Sequence, residues 1–169
     1  MTVWALSEAK SQGYAVNPDS IADVIHDLNV FPYPFEDNSF DMVIAEHVLE
    51  HLNDVIGVVE ELHRITQPGG ILYIEVPHFT SSNYFTDPTH RHSFTTRTFD
   101  YFVEGTPVRQ YHYSKVRLNK RRAELFFVSN NPILKRLHRW AARNPQRYEQ
   151  KAAFLLQAEH INFELEVVK

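Results

Sequence analysis

Cysteine is absent from the 169-residue sequence, and its apolar runs are short. Without cysteine the chain can form neither a disulfide bond nor a thiolate metal site. Since no apolar run approaches the roughly 20 residues of a membrane-spanning helix, we expect no membrane partner. The first residues, MTVWALSEAKSQGYAV, also lack the charged start, the long apolar stretch and the cleavage site of a signal peptide. These absences favour a cytoplasmic protein.

Positive charge is scarce in the N-terminal part of the chain and concentrated further on. Residues 1–106 hold 4 Lys and Arg against 16 Asp and Glu, whereas residues 109–151 hold 12 against 2. A basic segment of this kind can attract an anionic partner such as a nucleic acid. We favour a solvated surface that balances the acidic body, because no nucleic-acid-binding motif accompanies the charge.

Three short apolar segments predict strands. IADVIHDL reads as a strand that ends at Asp27, and DMVIAE and ILYIEVP read as the next two strands along the chain. The compact apolar run of DMVIAE, bounded by charge, is typical of a strand buried on both faces. Between the first two strands, FPYPFEDNSF contains two prolines and an Asp-Asn-Ser sequence, which predict a loop.

The segment between the second and third strands predicts a helix. Apolar residues recur every three or four positions from Val48 to Leu62, which is the pattern of an amphipathic helix. Asn53 or Asp54 is expected to cap its N-terminus, and Pro68-Gly69-Gly70 to end it. A strand, a helix and a strand joined by short connections form a βαβ unit, so the sheet should be parallel.

The C-terminal half of the chain predicts a loop, a strand, a helical segment and a closing strand. Residues 78–106 read as a loop, in which TTRTFDYFV could form a helix. VRQYHYSKVRL alternates as a strand does, and NPILKRLHRWAARNPQRYEQKAAFLLQA reads as helical with a break at Asn144-Pro145. INFELEVVK alternates again and closes the chain. We therefore predict one α/β domain over residues 1–169.

The predicted strand ends point to a ligand site. In an open parallel sheet, ligands bind beyond the carboxyl ends of the strands. Here these ends carry Asp27-Leu28, Glu46-His47 and Pro77-His78, which would line one crevice if the strands are neighbours. A carboxylate in such a crevice can accept hydrogen bonds from an amine or a ribose hydroxyl. Asp27 could instead only cap a turn, but the adjacent strand ends favour the crevice.

A long stretch of the chain resembles a known family. HDLNVFPYPFEDNSFDMVIAEHVLEHL, followed by ELHRITQPGGILYIEVP, is similar to the class I S-adenosylmethionine-dependent methyltransferases, especially the small bacterial type with a PFPDNSFD loop, a HVLEH element and a KPGG turn. The likeness runs from about Ala22 to Pro77. The resemblance implies a Rossmann-like, mainly parallel sheet with an antiparallel C-terminal strand. It also implies S-adenosylmethionine as cofactor and methyl transfer to an acceptor that the sequence does not identify.

The resemblance assigns roles to particular residues. Asp27 is expected to accept a hydrogen bond from the adenine amine, and Leu28 to pack at the adenine ring. Glu46 and His47 are expected to lie beside the methionine part of the cofactor and the methyl-transfer site. We interpret the next glutamate-histidine pair of the HVLEH element, Glu50-His51, as structural residues that cap or pair with their neighbours.

The sequence departs from this family at its N-terminus. The family carries a glycine-rich loop after the first strand, where only glycine lets the backbone approach the cofactor closely, but Gly13 is the only glycine before Gly57. The acidic residue expected after the second strand falls on Ala15, or on Asn17 after a small shift, with Asp19 beyond both. The chain thus resembles an N-terminally truncated methyltransferase, with TVWALSEAKSQG as a short substitute.

The truncation leaves several interpretations open. The chain could be naturally short, could have a start assigned too late, or could have lost catalysis and serve as a binding or scaffold subunit. A shortened sheet would also expose the backbone of an edge strand, which invites pairing with another chain. We therefore expect self-association into a homo-oligomer.

The segment HFTSSNYFTDPTHRHSF, at the start of the loop 78–106, is rich in histidine. We interpret the loop as a cover over the substrate side of the crevice, with His78 or His90 as candidate general base. In a second interpretation its histidines and aromatic residues pack the loop onto the body. In the weakest interpretation, Asp87, His90 and His92 form a two-histidine, one-carboxylate metal site. The resembling methyltransferases carry a similar DPTH stretch, so a metal is not required and we expect none.

Overall fold

The chain folds around a five-stranded sheet in a computed structural model that describes residue 24, residues 26–169 and the backbone of residues 3–6. The strands are β1 (Val3–Leu6), β2 (Phe40–Glu46), β3 (Thr66–Pro77), β4 (Arg117–Phe126) and β5 (His160–Val168). The α-helices are α1 (Val55–Ile65), α2 (Ser82–Thr86), α3 (Pro132–Arg143) and α4 (Pro145–Lys151), and short 3-10 helices span Leu49–His51, Thr98–Phe102 and Pro107–Tyr111. None of the helices in the described ranges is both long and apolar enough to cross a bilayer.

The sheet has the strand order β1-β2-β3-β5-β4. β1 pairs parallel with β2, and β2 pairs parallel with β3, whereas β5 runs antiparallel to both of its neighbours. Four strands therefore point the same way, and only β5 opposes them. The predicted α/β fold, with a mainly parallel sheet and an antiparallel C-terminal strand, is confirmed. β1 falls within TVWALSEAKSQG, the segment that we predicted to substitute for the glycine-rich motif.

The predicted βαβ unit is β2, α1 and β3. Asp54 caps α1, since its side chain accepts a hydrogen bond of 3.0 Å from the backbone N–H of Gly57. The apolar face of α1 is fully buried through Val58, Val59 and Leu62. The helix, its cap and its parallel flanking strands are therefore confirmed.

The Pro-Gly-Gly turn does not end α1, as the sequence predicted. The helix ends at Ile65, and Thr66 already pairs with Phe40 as part of β3. The register then jumps to Met42 opposite Ile71, so Gln67–Gly70 form an irregularity inside the strand. A side chain at Gly70 would lie 2.8 Å from the carbonyl oxygen of Asp41, which explains why this tight crossing needs glycine.

One face of the sheet forms the core. Alternate residues of β5 and β3 are buried, and Phe99 packs edge-to-face on Phe163 at 4.7 Å between ring centroids. The other face is only partly buried, as at Met42 and Ile44. The prediction that DMVIAE is buried on both faces is therefore wrong, because α1 covers one side only.

Two strand predictions differ from the structure. In VRQYHYSKVRL, Pro107 starts a 3-10 helix through Tyr111, and the strand begins only at Arg117. Tyr113 of this segment stacks on Tyr101 and on Tyr111 instead of alternating across a sheet. In IADVIHDL, the described residues Val24, His26 and Asp27 lie in no strand, and the remaining residues before His26 lie outside the described part of the chain. The helical segment is confirmed as far as Lys151, with its break before Pro145, but its predicted continuation is wrong, because residues 152–158 form turns and irregular structure. The closing strand β5 is confirmed.

The basic segment 109–151 divides into two parts. On β4 the cations pair with the acidic body: Lys120 with Asp100, and Arg121 with Glu166 at 2.7 Å. On α3 the described residues include no ion-pair partner for the cations, which lie beside partly or largely exposed Ile133, Leu137 and Trp140. The expected charge-balancing role therefore fits β4 but not α3.

Arg64, near the end of α1, holds the loop that leads into β2. Its guanidinium donates hydrogen bonds to the carbonyl oxygens of Phe35 at 2.8 Å and Tyr33 at 3.0 Å, and to both carboxylate oxygens of Glu61. It also pairs with Asp37 at 2.8 Å. These contacts, led by the bond to Glu61, raise the pKa of Arg64 above its usual value. One side chain thus fixes the path of the acidic loop against α1.

We expect Arg64→Lys to lower the free energy of unfolding by about 1–3 kcal/mol, because an ammonium cannot make these bonds in the same fork geometry. Urea denaturation followed by circular dichroism measures the effect. The matched control is Arg121→Lys, whose single exposed ion pair should leave the midpoint unchanged. Equal midpoints for wild type and Arg64→Lys would contradict this account of the loop.

Candidate functional site

The carboxyl ends of β2 and β3 meet at one edge of the sheet. Glu46 is the register partner of Glu75, and the backbone N–H of His47 donates to the carbonyl oxygen of Glu75 at 2.9 Å. His160 begins β5 at the same edge, opposite Pro77. We call Glu46, His47, Glu75 and His160 the carboxyl-edge cluster. The predicted meeting of strand ends is therefore confirmed for β2 and β3, whereas a ligand site there stays a prediction.

His47 connects this cluster to the 3-10 helix that follows β2. Its backbone adopts the left-handed region (φ 52°), which turns the chain sharply away from the strand. The imidazole Nε2 lies 3.0 Å from Glu75 Oε1, and Nδ1 lies 3.4 Å from Glu50 Oε1. The interaction with Glu50 is the main cause that raises the pKa of His47, and partial burial opposes it. The ring therefore lies between two carboxylates.

His160 completes the edge on the other side of Glu75. Its Nε2 lies 3.8 Å from Glu75 Oε2, and its ring stacks on Phe126 at 4.4 Å between centroids. Burial lowers the pKa of His160, and the charge of Glu75 opposes that effect. With the carboxylates of Glu46, Glu50 and Glu75 close together, the edge favours a cationic ligand group.

Asp27 and Leu28 lie in a turn before the acidic loop. Asp27 Oδ1 accepts hydrogen bonds from the backbone and side chain of Asn29, at 2.9 and 3.2 Å. Asn29 Oδ1 in turn accepts a hydrogen bond from the backbone N–H of Asn53 at 2.8 Å. This bond attaches the turn to the residues that immediately precede α1. Asp27 is exposed and Leu28 is buried. The contacts of Asp27 with Asn29 are local to the turn and do not test the adenine-binding role of Asp27, which stays a prediction.

His78, one of the two candidate bases, is completely buried. Its Nδ1 lies 2.6 Å from the hydroxyl of Thr80, and its Nε2 lies 3.6 Å from Glu149 Oε1. The ring packs against Phe79 and Tyr148. A side chain with no exposed surface cannot touch an acceptor in a crevice, so this geometry favours a structural role for His78.

The histidine-rich loop is fastened to the body by hydrogen bonds. The Nε2 atom of His92 lies 2.8 Å from the carbonyl oxygen of Leu52, and Asp87 Oδ1 accepts from the backbone and hydroxyl of Thr89. His90 Nδ1 lies 2.8 Å from the carbonyl oxygen of Tyr84. Within residues 26–169 the structure therefore does not assemble Asp87, His90 and His92 into a metal site. It favours the interpretation that this loop packs on the body.

Two cavities lie away from the carboxyl-edge cluster. One, of about 500 Å³, lies between the start of α1 and the 3-10 helix Thr98–Phe102, where Val55, Thr95 and Tyr113 line it. The other, of about 560 Å³, lies between Phe127 and α3. Their linings are mainly apolar and include none of the residues that the sequence singled out, so we base no binding role on them.

Glu75 and His160 were not among the site residues predicted from the sequence. Glu75 is the single carboxylate inside the apolar segment ILYIEVP, and that isolation was a readable signal. His160 could not be found in this way, because its place at the edge depends on the antiparallel pairing of β5 with β3. Both residues are separated along the chain from His47 and meet it only through the sheet.

Comparison with known proteins matches part of the chain to one family. Residues 5–74 match the family described as methyltransferase domain. An uncharacterized methyltransferase of Schizosaccharomyces pombe is 45% identical over 42 residues, which are 25% of this chain and 15% of that protein. The demethylmenaquinone methyltransferase of Geobacillus stearothermophilus is 46% identical over 43 residues, 25% of this chain and 18% of that protein. The matched segment is therefore a small part of these relatives.

A solved structure extends the likeness to most of the fold. A chain from the complex of the Haloferax volcanii Trm112 methyltransferase activator with a candidate methyltransferase aligns at a TM-score of 0.50 and 14% identity. The alignment covers 86% of this chain and 60% of that one. At this identity the match shows the fold alone. Together with the family match, it confirms the resemblance to class I methyltransferases.

We expect His78→Asn to lower the free energy of unfolding by roughly 2–4 kcal/mol, because the smaller side chain leaves a cavity in a fully buried site. The matched control is His112→Asn, at an exposed residue with φ 51°, a backbone conformation that asparagine tolerates. Urea denaturation compares the two variants with wild type. A His78→Asn variant as stable as the control would show that this ring is not part of the core.

Proposed function

We propose that the chain is a methyltransferase that binds S-adenosylmethionine at the carboxyl edge of its sheet and transfers a methyl group to an acceptor not yet identified. The observation that carries the proposal is the carboxyl-edge cluster, at the end of the strand β2 that lies inside the family match. In an open parallel sheet this edge is the place where ligands bind. S-adenosylmethionine, expected from the resemblance, is supported by the match to methyltransferases.

The carboxylates at the carboxyl edge fit the cationic part of this cofactor. S-adenosylmethionine supplies an activated methyl group on a sulfonium, and it carries an ammonium as well. Glu46 is exposed at the end of β2, and Glu75 lies beside it. Their carboxylates can accept hydrogen bonds from an ammonium and favour positive charge nearby. In the proposal these residues orient the methionine part, while Asp27 accepts from the adenine amine.

Catalysis then consists mainly of alignment. Because the methyl group arrives already activated, the protein has to hold donor and acceptor in line and keep their distance short. The carboxyl-edge cluster is suited to this, since His47 is held from both sides, by Glu50 and Glu75. The Arg64 contacts fix the acidic loop between the Asp27 turn and β2. The proposal therefore relies on positioned residues rather than on an activated nucleophile.

We expect the purified chain to bind S-adenosylhomocysteine, the product form of the cofactor, with micromolar affinity in isothermal titration calorimetry. Asp27→Ala and Glu46→Gln should each weaken binding by about tenfold or more, as expected for the loss of one hydrogen-bonded charged partner. The matched control, Glu104→Gln, removes an exposed carboxylate next to Val103, which pairs with Leu118 near the start of β4, at the end of the sheet opposite the carboxyl edge. It should leave the affinity unchanged.

Absence of binding at millimolar ligand by a well-folded chain would contradict the proposal and favour a second candidate function. In that alternative the domain is a binding or scaffold subunit without catalysis. The observation in its favour is α3, whose cations have no ion-pair partner among the described residues and whose Ile133 and Trp140 are exposed. Such a surface could contact an anionic partner, including a nucleic acid.

Self-association and a cytoplasmic location remain predictions. Among the strands that the structure describes, β1 pairs with β2 alone and so forms one edge of the sheet. Light scattering at several protein concentrations should show a mass above that of the 19.8 kDa chain. A strict monomer at the highest concentration would count against pairing through this edge.

A further inference from the structure

Glu50, in the 3-10 helix after β2, has a buried carboxylate that no hydrogen bond satisfies. Its side chain is 0% exposed, and neither oxygen has a hydrogen-bond partner in the described part of the chain. The nearest nitrogen atoms are His47 Nδ1 at 3.4 Å and His90 Nε2 at 4.0 Å from Oε1. Burying a carboxylate costs several kcal/mol, and His47, which it contacts, also contacts Glu75, so an additional positive charge beside Glu50 is favourable.

His90 presents a free lone pair toward this carboxylate. Its Nδ1 lies 2.8 Å from the carbonyl oxygen of Tyr84, which can only accept a hydrogen bond. In the neutral ring Nδ1 therefore carries the proton, and Nε2 is the unprotonated nitrogen. Nε2 is also the atom that faces Glu50 Oε1. In this tautomer, two groups that both accept hydrogen bonds face one another, and a bound cation would satisfy both.

His51 is held in the same tautomer by a longer chain of hydrogen bonds. Its Nδ1 lies 2.9 Å from the hydroxyl oxygen of Thr89. That hydroxyl donates its own proton to Asp87 Oδ1 at 2.6 Å, so it can only accept from His51. Nδ1 therefore donates, and the Nε2 lone pair of His51 is free. A carboxylate that orients an imidazole from behind is the usual outer support of a metal-binding histidine.

The three side chains converge. Glu50, His51 and His90 each offer one ligand atom, and these atoms all lie within 4.8 Å of one another. The two imidazole rings are 4.6 Å apart between centroids. Ligand atoms around a tetrahedral Zn²⁺ at 2.0–2.1 Å lie about 3.4 Å from each other, so only a small closing movement is needed. We propose that Glu50, His51 and His90 bind a divalent transition-metal ion, with Zn²⁺ as the favoured occupant.

The backbone around the site is already organised. The N–H groups of Arg91 and His92 both donate to the carbonyl oxygen of Glu50, at 2.7 and 3.3 Å. His92 also binds the carbonyl oxygen of Leu52. These bonds join the loop that carries His90 to the 3-10 helix that carries Glu50 and His51. The metal ion would bind a preformed pocket and would link two segments about 40 residues apart in sequence.

Two histidines and one glutamate are a donor set that Zn²⁺ accepts well, and three protein ligands leave one position for water or another molecule. The site differs from the Asp87, His90 and His92 set considered from the sequence. Asp87 contacts His51 only through the hydroxyl of Thr89. His92 Nε2 is bonded to the backbone carbonyl oxygen of Leu52. The inference concerns these side chains alone and holds whether or not the chain transfers methyl groups.

The first test uses the whole chain, made without a polyhistidine tag and treated with a chelator. Titration with Co²⁺, followed by visible absorption, should show one ion per chain with the intense bands of a four- or five-coordinate site. Addition of Zn²⁺ should abolish these bands, and the competition gives the Zn²⁺ affinity. If wild-type protein does not bind one equivalent of either ion, the proposal is wrong, and the contact with His47 is what compensates Glu50.

The second test compares variants. Glu50→Gln and His90→Gln should each weaken Zn²⁺ binding by about 100-fold or more, since each removes one of three ligands. The matched control His112→Gln, at an exposed histidine that is not one of the three ligands, should bind as wild type does. Unchanged affinity in His90→Gln, or an equal loss in the control, would overturn the proposal.

A third measurement keeps the proposal testable if Glu50→Gln fails to fold. Zn²⁺ should raise the thermal midpoint of the chelator-treated wild type by several degrees, since it binds the folded chain, and should not raise that of folded His90→Gln. Circular dichroism first checks that the variant is folded. An equal rise in the two proteins would place the bound ion elsewhere.

Discussion

The parallel pairing of β2 with β3 is the constraint on which the rest of the structure depends. Because α1 crosses over one face and returns the chain in the same direction, two strand ends arrive side by side. Backbone hydrogen bonding from His47 to Glu75 continues this pairing past the end of β2. The left-handed backbone of His47 then directs the next residues into a 3-10 helix. Every polar group of the edge is positioned relative to this one junction.

The sequence predicted the parts of the fold that local chemistry determines. β2, α1, the break before Pro145 and the strand β5 all follow from periodicity and from the position of proline, and the cap of α1 was predicted as Asn53 or Asp54. The carboxyl edge at Glu46 and His47 followed from the βαβ pattern and the family resemblance. These elements carry their information in residues close together along the chain, so a single sequence suffices to find them.

The failures concern features that depend on distant parts of the chain. β4 was missed because its charged residues face solvent at the edge of the sheet and only Leu118 and Leu125 are buried, which hides the strand pattern. Gly70 was interpreted as a helix stop, whereas the nearby carbonyl of Asp41 on β2 is what requires it. The burial of His78 and of Glu50 likewise depends on loops that return to the body only in three dimensions.

The backbone carbonyl and the side-chain carboxylate of Glu50 contact different parts of the structure. Its carbonyl oxygen receives the backbone of the loop at Arg91 and His92, and its carboxylate lies within reach of His47 at the carboxyl edge. The loop and the edge therefore share one residue and cannot relax independently. Any ligand that orders one of them lowers the cost of ordering the other, and by linkage the effect is reciprocal. In thermodynamic terms, this short 3-10 helix couples the two halves of the chain.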